Sequence, residues 1–291
     1  MKLVTFSARR DRSDIGVGAL VDEGAAVLDF RRADLEMPRN ALACFDLDGS
    51  WLPRAFALAA SAPANARVPI DAVRVCAPVP RPGKLVAVGL NYRDHAAESK
   101  MAVPERPVLF SKFTTSVIGP GEAIVIPPSS QKVDYEAELA IVVGRRTKRA
   151  SRDEAAAAIL GYTIVNDVSA RDFQFGDGQW QRGKSCDTFA PMGPSIVTAD
   201  EIADPQQLGI RLRVNGETLQ SSNTDQMVFG AVDLVAFISE TITLEPGDVI
   251  ATGTPPGVGF ARKPPVYLKA DDVVEVEIDG LGILRNHVMA G

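Results

Sequence analysis

Histidine is scarce in this chain. Only His95 and His287 occur among 291 residues, which excludes a metal centre built from several imidazoles and leaves few routes to histidine catalysis. Cysteine is sparse as well. Cys44, Cys76 and Cys186 form an odd, scattered set without a CxxC pair, which fits a reducing cytosol and neither a disulfide framework nor a zinc site. No apolar run approaches a membrane span, and Met1 to Arg12 lacks the apolar core of a signal peptide, so no membrane is expected as a partner and the location reads as cytoplasmic. Basic charge is not in excess: 31 Lys and Arg against 37 Asp and Glu leave a net charge of −6, which argues against sequence-independent nucleic-acid binding. What is present, 46% hydrophobic and 23% charged residues, is the composition of a soluble globular protein, and the length allows one large domain or two.

Residues 1–68 read as a small N-terminal, β-containing unit and 69–291 as the main domain. Leu3 to Phe6, Ile15 to Val21 and Ala25 to Phe30 have the pattern of short strands, with Asp22-Glu23-Gly24 as a turn, and the Ala-rich stretch Arg54 to Ala60 reads as a helix. After the linker Ala62 to Pro69, most of the chain is strand pattern broken by Gly and Pro. Helical patterns are few: Asp153 to Leu160, with Ser151 as its cap, and Val228 to Glu240. Strands do not alternate with long helices, so a doubly wound sheet is not expected. An α+β, β-rich fold closed into a sandwich or roll fits better.

The most informative feature is Glu136-Ala137-Glu138, followed at once by the apolar, β-branched run Leu139 to Val143 and a stop at Gly144. In a strand, residues i and i+2 lie on one face, roughly 7 Å apart. Two desolvated carboxylates side by side repel each other, and a positive charge between them removes the repulsion. Oxygen ligands favour a hard cation. The plainer reading is a solvated acidic face on an edge strand. A third carboxylate, Asp167, closes the short strand Tyr162 to Asn166. Were the following segment a helical turn, Asp167, Arg171 and Gln174 would share a face; the plainer reading is that Asp167 caps that helix.

Other segments carry chemistry. His95 and Glu98 are neighbours if their segment is helical, so Glu98 could hold one ring nitrogen while the other takes a proton from water; a surface His–Glu pair is the alternative. Ser99 to Pro107 reads as a mobile loop or lid. Gly178 to Ser185 matches the phosphate-loop pattern G-x-x-x-x-G-K-[ST], yet no strong apolar strand precedes it, and Pro191 and Pro194 bar a helix after it. Lys184 is therefore a lysine on a rigid loop rather than a phosphate binder. Pro246 to Gly259 reads as a turn, a short strand and a rigid Gly/Pro loop of the kind that often contacts ligands.

These motifs together resemble the fumarylacetoacetate hydrolase family over about residues 70 to 290. In the family's order they are G-x-N-Y-x-D-H-x-x-E at Gly89 to Glu98, D-Y-E-x-E-L at Asp134 to Leu139, N-D-V-S-x-R at Asn166 to Arg171, G-K-S-x-D-T-F at Gly183 to Phe189 and G-T-P-x-G-V-G at Gly253 to Gly259. Ser221 to Phe229 and Lys263 to Lys269 are most similar to the domain-containing protein 2 branch and its bacterial relatives. The resemblance implies that Glu136, Glu138 and Asp167 hold Mg²⁺ or Mn²⁺, with Ca²⁺ admissible in a crystal. It implies that His95 and Glu98 activate water on a lid helix and that Lys184 stabilises oxyanion or enolate charge. Gln174 and Thr254 would contact substrate oxygens, with Arg171 nearby, in a β-rich homodimer. The founding hydrolases carry a further metal-ligating aspartate upstream, and around Ser111-Lys112-Phe113 there is none.

A 2-oxo acid offers a carboxylate and a keto oxygen to a cation, and the resulting electron withdrawal favours an enolate at C3. The leading expectation is a metal-dependent hydrolase cleaving a C–C bond in a 2,4-dioxo carboxylate such as an acylpyruvate. Oxaloacetate decarboxylation or tautomerisation, or isomerisation of a 2-oxo diacid, uses the same site and is the alternative. Aromatic-compound or sugar-acid catabolism would supply such substrates. A non-catalytic metabolite-binding protein is the reading from another class.

Overall fold

The computed structural model describes residues 1–8, 14–98 and 101–291. The first residues of the expected lid, 99–100, and part of the opening segment, 9–12, lie outside the described residues. Two runs, Ala137–Val143 and Ile159–Asn166, are buried along their whole length and pair antiparallel. Strands covered on both faces read as continuous apolar runs, and both faces are covered here. Leu139, Ile141 and Val143 pack with Ile210, Leu212, Val276 and Leu234, while Ala140 and Val142 pack with Leu3, Leu28, Met192 and Ile196.

These strands sit in a mixed, 12-stranded sheet. From one edge ten of its strands run Arg67–Pro69, Ala26–Asp29, Ile15–Val21, Lys2–Ser7, Ala190–Thr198, Ile159–Asn166, Ala137–Val143, Val249–Ala251, Leu85–Gly89 and Val108–Ser111, while Arg74–Val75 pairs with Lys2–Ser7 and Val117–Ile118 with Ala190–Thr198 off this path. A second, five-stranded sheet orders Glu217–Asn223, Gly209–Val214, Val273–Ile278, Gly282–Ala290 and Ala123–Ile126. The helix Ala231–Thr241 buries Leu234, Val235 and Ile238 in the core that this sheet shares with the large one. The fold is α+β and β-rich, as expected. Among the described residues no helix is long and apolar enough to cross a membrane.

The N-terminal strands form where their alternation places them, but their pairing goes further. Lys2–Ser7 hydrogen-bonds to Ala190–Thr198, and Leu3 and Leu28 share a core with Ala140 and Val142. The position expected to divide 1–68 from 69–291 falls within the short strand Arg67–Pro69, in a sheet that continues into the rest of the chain. Ser151 does cap its helix, in a reciprocal box with Glu154. That helix ends at Ala157 rather than Leu160, because Ile159 onward is taken up by the ladder with Ala137–Val143.

Because Leu139 is fully buried in the core between the two sheets, Leu139→Ala is expected to cost about 2–5 kcal/mol of folding stability. A urea titration with an unchanged midpoint would show that this strand is not part of the core.

Candidate active site

The ladder brings the acids together. Ala137 lies opposite Asn166, and the Asp167 amide donates to the Glu136 carbonyl at 2.8 Å. This register puts Asp167 beside the two glutamates that the strand period already sets on one face. One carboxylate oxygen from each of Glu136, Glu138 and Asp167 lies within 4.8 Å of the others, and all three residues are buried. Asp167 is not the start of a helix. Ser169–Ala170 forms a short strand with Val133–Asp134, and the helix begins only at Arg171. The alignment of Asp167 with Arg171 and Gln174 therefore comes from strand pairing and not from a helical period.

Buried basic groups neutralise this cluster unevenly. Lys184 Nζ donates to Glu136 Oε2 at 2.7 Å and to Asp167 Oδ2 at 2.6 Å. Arg171 Nη2 donates to Glu136 Oε1 at 2.6 Å, its Nε to Asp134 Oδ2 at 2.9 Å and its Nη1 to Gln174 Oε1 at 2.9 Å. Lys112 Nζ bonds Asp167 Oδ1 and also the Val168 carbonyl, the latter at 3.0 Å. Burial alone would raise the Glu136 pKa, but Lys184 and then Arg171 hold it below the usual carboxylate range. Glu138 goes the other way. Burial, then Asp167 and Glu136, push it well above that range. Its hydrogen bond is a backbone one, from the Gly253 amide at 2.9 Å, and among the described residues it forms no ion pair.

This donor set fits a divalent cation. The oxygens are hard ligands, they converge, and one buried carboxylate lacks a basic partner. Glu136, Glu138 and Asp167 are the residues that would hold the ion.

A cavity of about 150 Å³ opens beside the acids, lined by His95, Glu136, Glu138, Arg171, Gln174, Lys184 and Thr254, and walled by Phe110, Trp180 and Phe260. His95 lies on the helix Arg93–Glu98, with Nδ1 3.2 Å from Glu98 Oε2. Where Nδ1 donates to Glu98 in this contact, Nε2 is the ring nitrogen left as an acceptor. Glu98 also receives the Gly257 amide at 3.0 Å, which ties this helix to the Gly/Pro loop. Gln174 gives its oxygen to Arg171, so its NH₂ end remains a donor. Thr254 Oγ1 accepts from Gln220 Nε2 at 2.9 Å.

All the residues singled out in the sequence thus gather here. His95, Glu136, Glu138, Arg171, Gln174, Lys184 and Thr254 face the cavity, with Glu98 behind His95 and Asp167 behind Lys184. Arg171 is more committed than its expected substrate role implies: three of its nitrogens already hold protein acceptors, and its guanidinium lies 4.4 Å from the Phe260 ring centre. Lys184 ends a four-residue helix, Gln181–Lys184, and bridges two carboxylates in place of any phosphate. Sequence reasoning missed Lys112, Asp134 and Gln220 as parts of the site. Asp134 stood inside a quoted motif; Lys112 and Gln220 had no local signal.

Residues 84–289 match the family model described as Fumarylacetoacetate (FAA) hydrolase C-terminal. A Rattus norvegicus protein named oxaloacetate tautomerase Fahd2a, mitochondrial, is 45% identical over 292 residues, spanning 99% of this chain and 92% of the relative. Among solved structures, the fumarylacetoacetate hydrolase of psychrophilic Exiguobacterium antarcticum is 38% identical with a TM-score of 0.82, and 100% of both chains is covered. The maleylpyruvate hydrolase of Sphingobium sp. SYK-6, solved in complex with manganese(II) ion and pyruvate, is 30% identical with a TM-score of 0.81, again with 100% of both chains covered.

The raised Glu138 carboxyl makes a linkage prediction. Its folded-state pKa exceeds its unfolded one, so its penalty is absent below the ordinary glutamate pKa of about 4.3 and grows as pH rises toward the folded value. Metal-free protein should therefore lose more thermal stability than Glu138→Gln between about pH 5 and about pH 8. Mn²⁺ or Mg²⁺ should raise Tm for the wild type and leave the variant unmoved. An equal metal-induced gain in both proteins would rule Glu138 out as a ligand.

Proposed function

The chain belongs to the fumarylacetoacetate hydrolase family, and from that premise we propose that it is a divalent-metal-dependent enzyme that tautomerises oxaloacetate between its keto and enol forms. One observation carries the reading: a buried carboxylate cluster with an unpaired member opens onto a small cavity that also holds a histidine acceptor and two polar donors. About 150 Å³ is below the usual size of a drug-like pocket and suits an acid of a few carbon atoms. Charge points the same way. Among the described residues, buried Asp134, Glu136, Glu138 and Asp167 meet only the basic groups Lys112, Arg171 and Lys184. A divalent cation, Mg²⁺ or Mn²⁺, reverses that negative excess and makes the cavity hospitable to an anion.

When bound, the cation supplies Lewis-acid withdrawal of electrons from the 2-oxo group. The protein's own groups do the rest. His95 Nε2 takes a proton from C3 and can return it, with Glu98 orienting the ring. The Thr254 hydroxyl and the Gln174 amide donate to oxygens on which charge accumulates. Lys184 adds fixed positive charge beside them. The relative named as an oxaloacetate tautomerase supports this reaction over the C–C hydrolysis that headed the sequence-based expectations. Hydrolysis of a 2,4-dioxo acid remains the second reading, favoured by the His95–Glu98 contact and by the neighbour named a maleylpyruvate hydrolase. A homodimer belongs to the same proposal; a one-chain mass by light scattering would remove it.

The test is the enol absorbance of oxaloacetate, with added Mn²⁺ or Mg²⁺ and with EDTA, run beside acetylpyruvate. EDTA-sensitive keto–enol interconversion is expected. Acetylpyruvate cleavage outpacing it would transfer the assignment to the hydrolase reading, and metal-independent turnover would end the mechanism. His95→Ala should slow tautomerisation by about 10²–10⁴-fold; an unchanged rate would exclude His95 as the proton carrier.

A further inference from the structure

Gln220 is 1% exposed and belongs to the strand Glu217–Asn223 of the smaller sheet, yet its side chain is spent on the active-site walls. Its Oε1 accepts from the Ala137 amide at 2.9 Å, between the two glutamates. Its Nε2 donates to Thr254 Oγ1 at 2.9 Å and to the Pro255 carbonyl at 2.8 Å. A backbone amide can only donate, so the Ala137 contact identifies the oxygen end, and both amide hydrogens are then used on the loop. The loop is pressed onto this strand independently: a Cβ at Gly257 would lie 2.1 Å from the Leu219 carbonyl. Through Gly253, the same loop holds Glu138.

One consequence concerns the direction of a single proton. A hydroxyl that receives a hydrogen bond from Gln220 turns its own hydrogen elsewhere, and Thr254 faces the cavity. We propose that Gln220 is a positioning residue that makes Thr254 an obligate donor to the substrate oxygen. The inference rests on the reading of Thr254 as a substrate contact.

Gln220→Glu provides a sharp test, because an ionised carboxylate still accepts from Ala137 but draws the Thr254 proton toward itself. Gln220→Met, similar in volume and unable to donate, serves if the glutamate variant does not fold. Each is measured alone and combined with Thr254→Val, with Thr254→Ser as the conservative control. The readouts are kcat and KM for oxaloacetate and, separately, calorimetric affinity for oxalate on Mn²⁺-loaded protein.

Gln220→Glu and Thr254→Val should each lose about 10–100-fold in kcat and oxalate affinity. The double variant should be no worse than Thr254→Val, Thr254→Ser should keep most activity, and the Mn²⁺-induced Tm gain should persist throughout. Losses that multiply in the double variant would reduce Gln220 to a structural role and overturn the inference. Absent oxaloacetate turnover with the same coupling in oxalate binding would mean that the substrate assignment is wrong and the Gln220–Thr254 relation right. Absence of both turnover and oxalate binding in the wild type would overturn both.

Discussion

Asp134 is where the buried charges of this protein meet its backbone. Fully buried, its carboxylate accepts from Arg171 Nε, from the Gly259 amide at 2.7 Å and from the Phe260 amide at 3.0 Å. From there the chain of ion pairs runs through Arg171 to Glu136, through Lys184 to Asp167 and on to Lys112. A charge taken out of water survives only if partners replace the lost hydration, and removing one partner of a buried pair typically costs about 3–5 kcal/mol. Every element that supplies a partner is therefore held in place by the others. The helix from Arg171, the segment around Lys184 and the turn after Val108–Ser111 are each tied into this network by a buried basic side chain.

The same constraint explains the one exception. Glu138 sits among like charges with only a backbone donor, so its ionisation is unfavourable until a positive charge arrives. A polar network that was complete without a ligand would be a structural ion cluster. This one is complete except at Glu138, one of the two carboxylates that face the cavity, an asymmetry expected of a binding site rather than of a scaffold. Fixing the donors beforehand also reduces the rearrangement needed as charge develops on a substrate, which is how electrostatic stabilisation acts in a dry site.

The Gly/Pro loop joins the acid cluster to the histidine helix. Gly253 holds Glu138, Gly257 holds Glu98, and Gly259 holds Asp134, all through backbone amides. At Gly259 the close approach is required: a Cβ there would lie 1.8 Å from the Val266 carbonyl and 2.5 Å from Asp134 Oδ1. A loop with bulkier residues could not bring three amides to three carboxylates. Seated on Leu219 and Gln220, it also carries the smaller sheet into the architecture of the site.

Local physics made much of this legible beforehand. The two-residue period of a strand put Glu136 and Glu138 on one face, and i, i+3 spacing put His95 against Glu98, because both depend on nearest-neighbour geometry alone. The scarcity of histidine excluded a multi-imidazole centre, whereas the reading of Glu136, Glu138 and Asp167 together as a cation site came from the family resemblance. Long-range pairing decided the rest. Lys112 reaches Asp167 across 55 positions and Gln220 reaches Ala137 across 83, with no local pattern to announce either. Residues 3–6 read as a strand from their own sequence, but only the tertiary structure made that strand a neighbour of Ala190–Thr198. The sequence by itself determined which groups are available and which short elements hold them, since propensity and period are properties of adjacent residues. Which charges are neutralised, which carboxylate is left without a basic partner and which donor a buried hydroxyl accepts from were decided by folding, because each depends on partners far away in the chain.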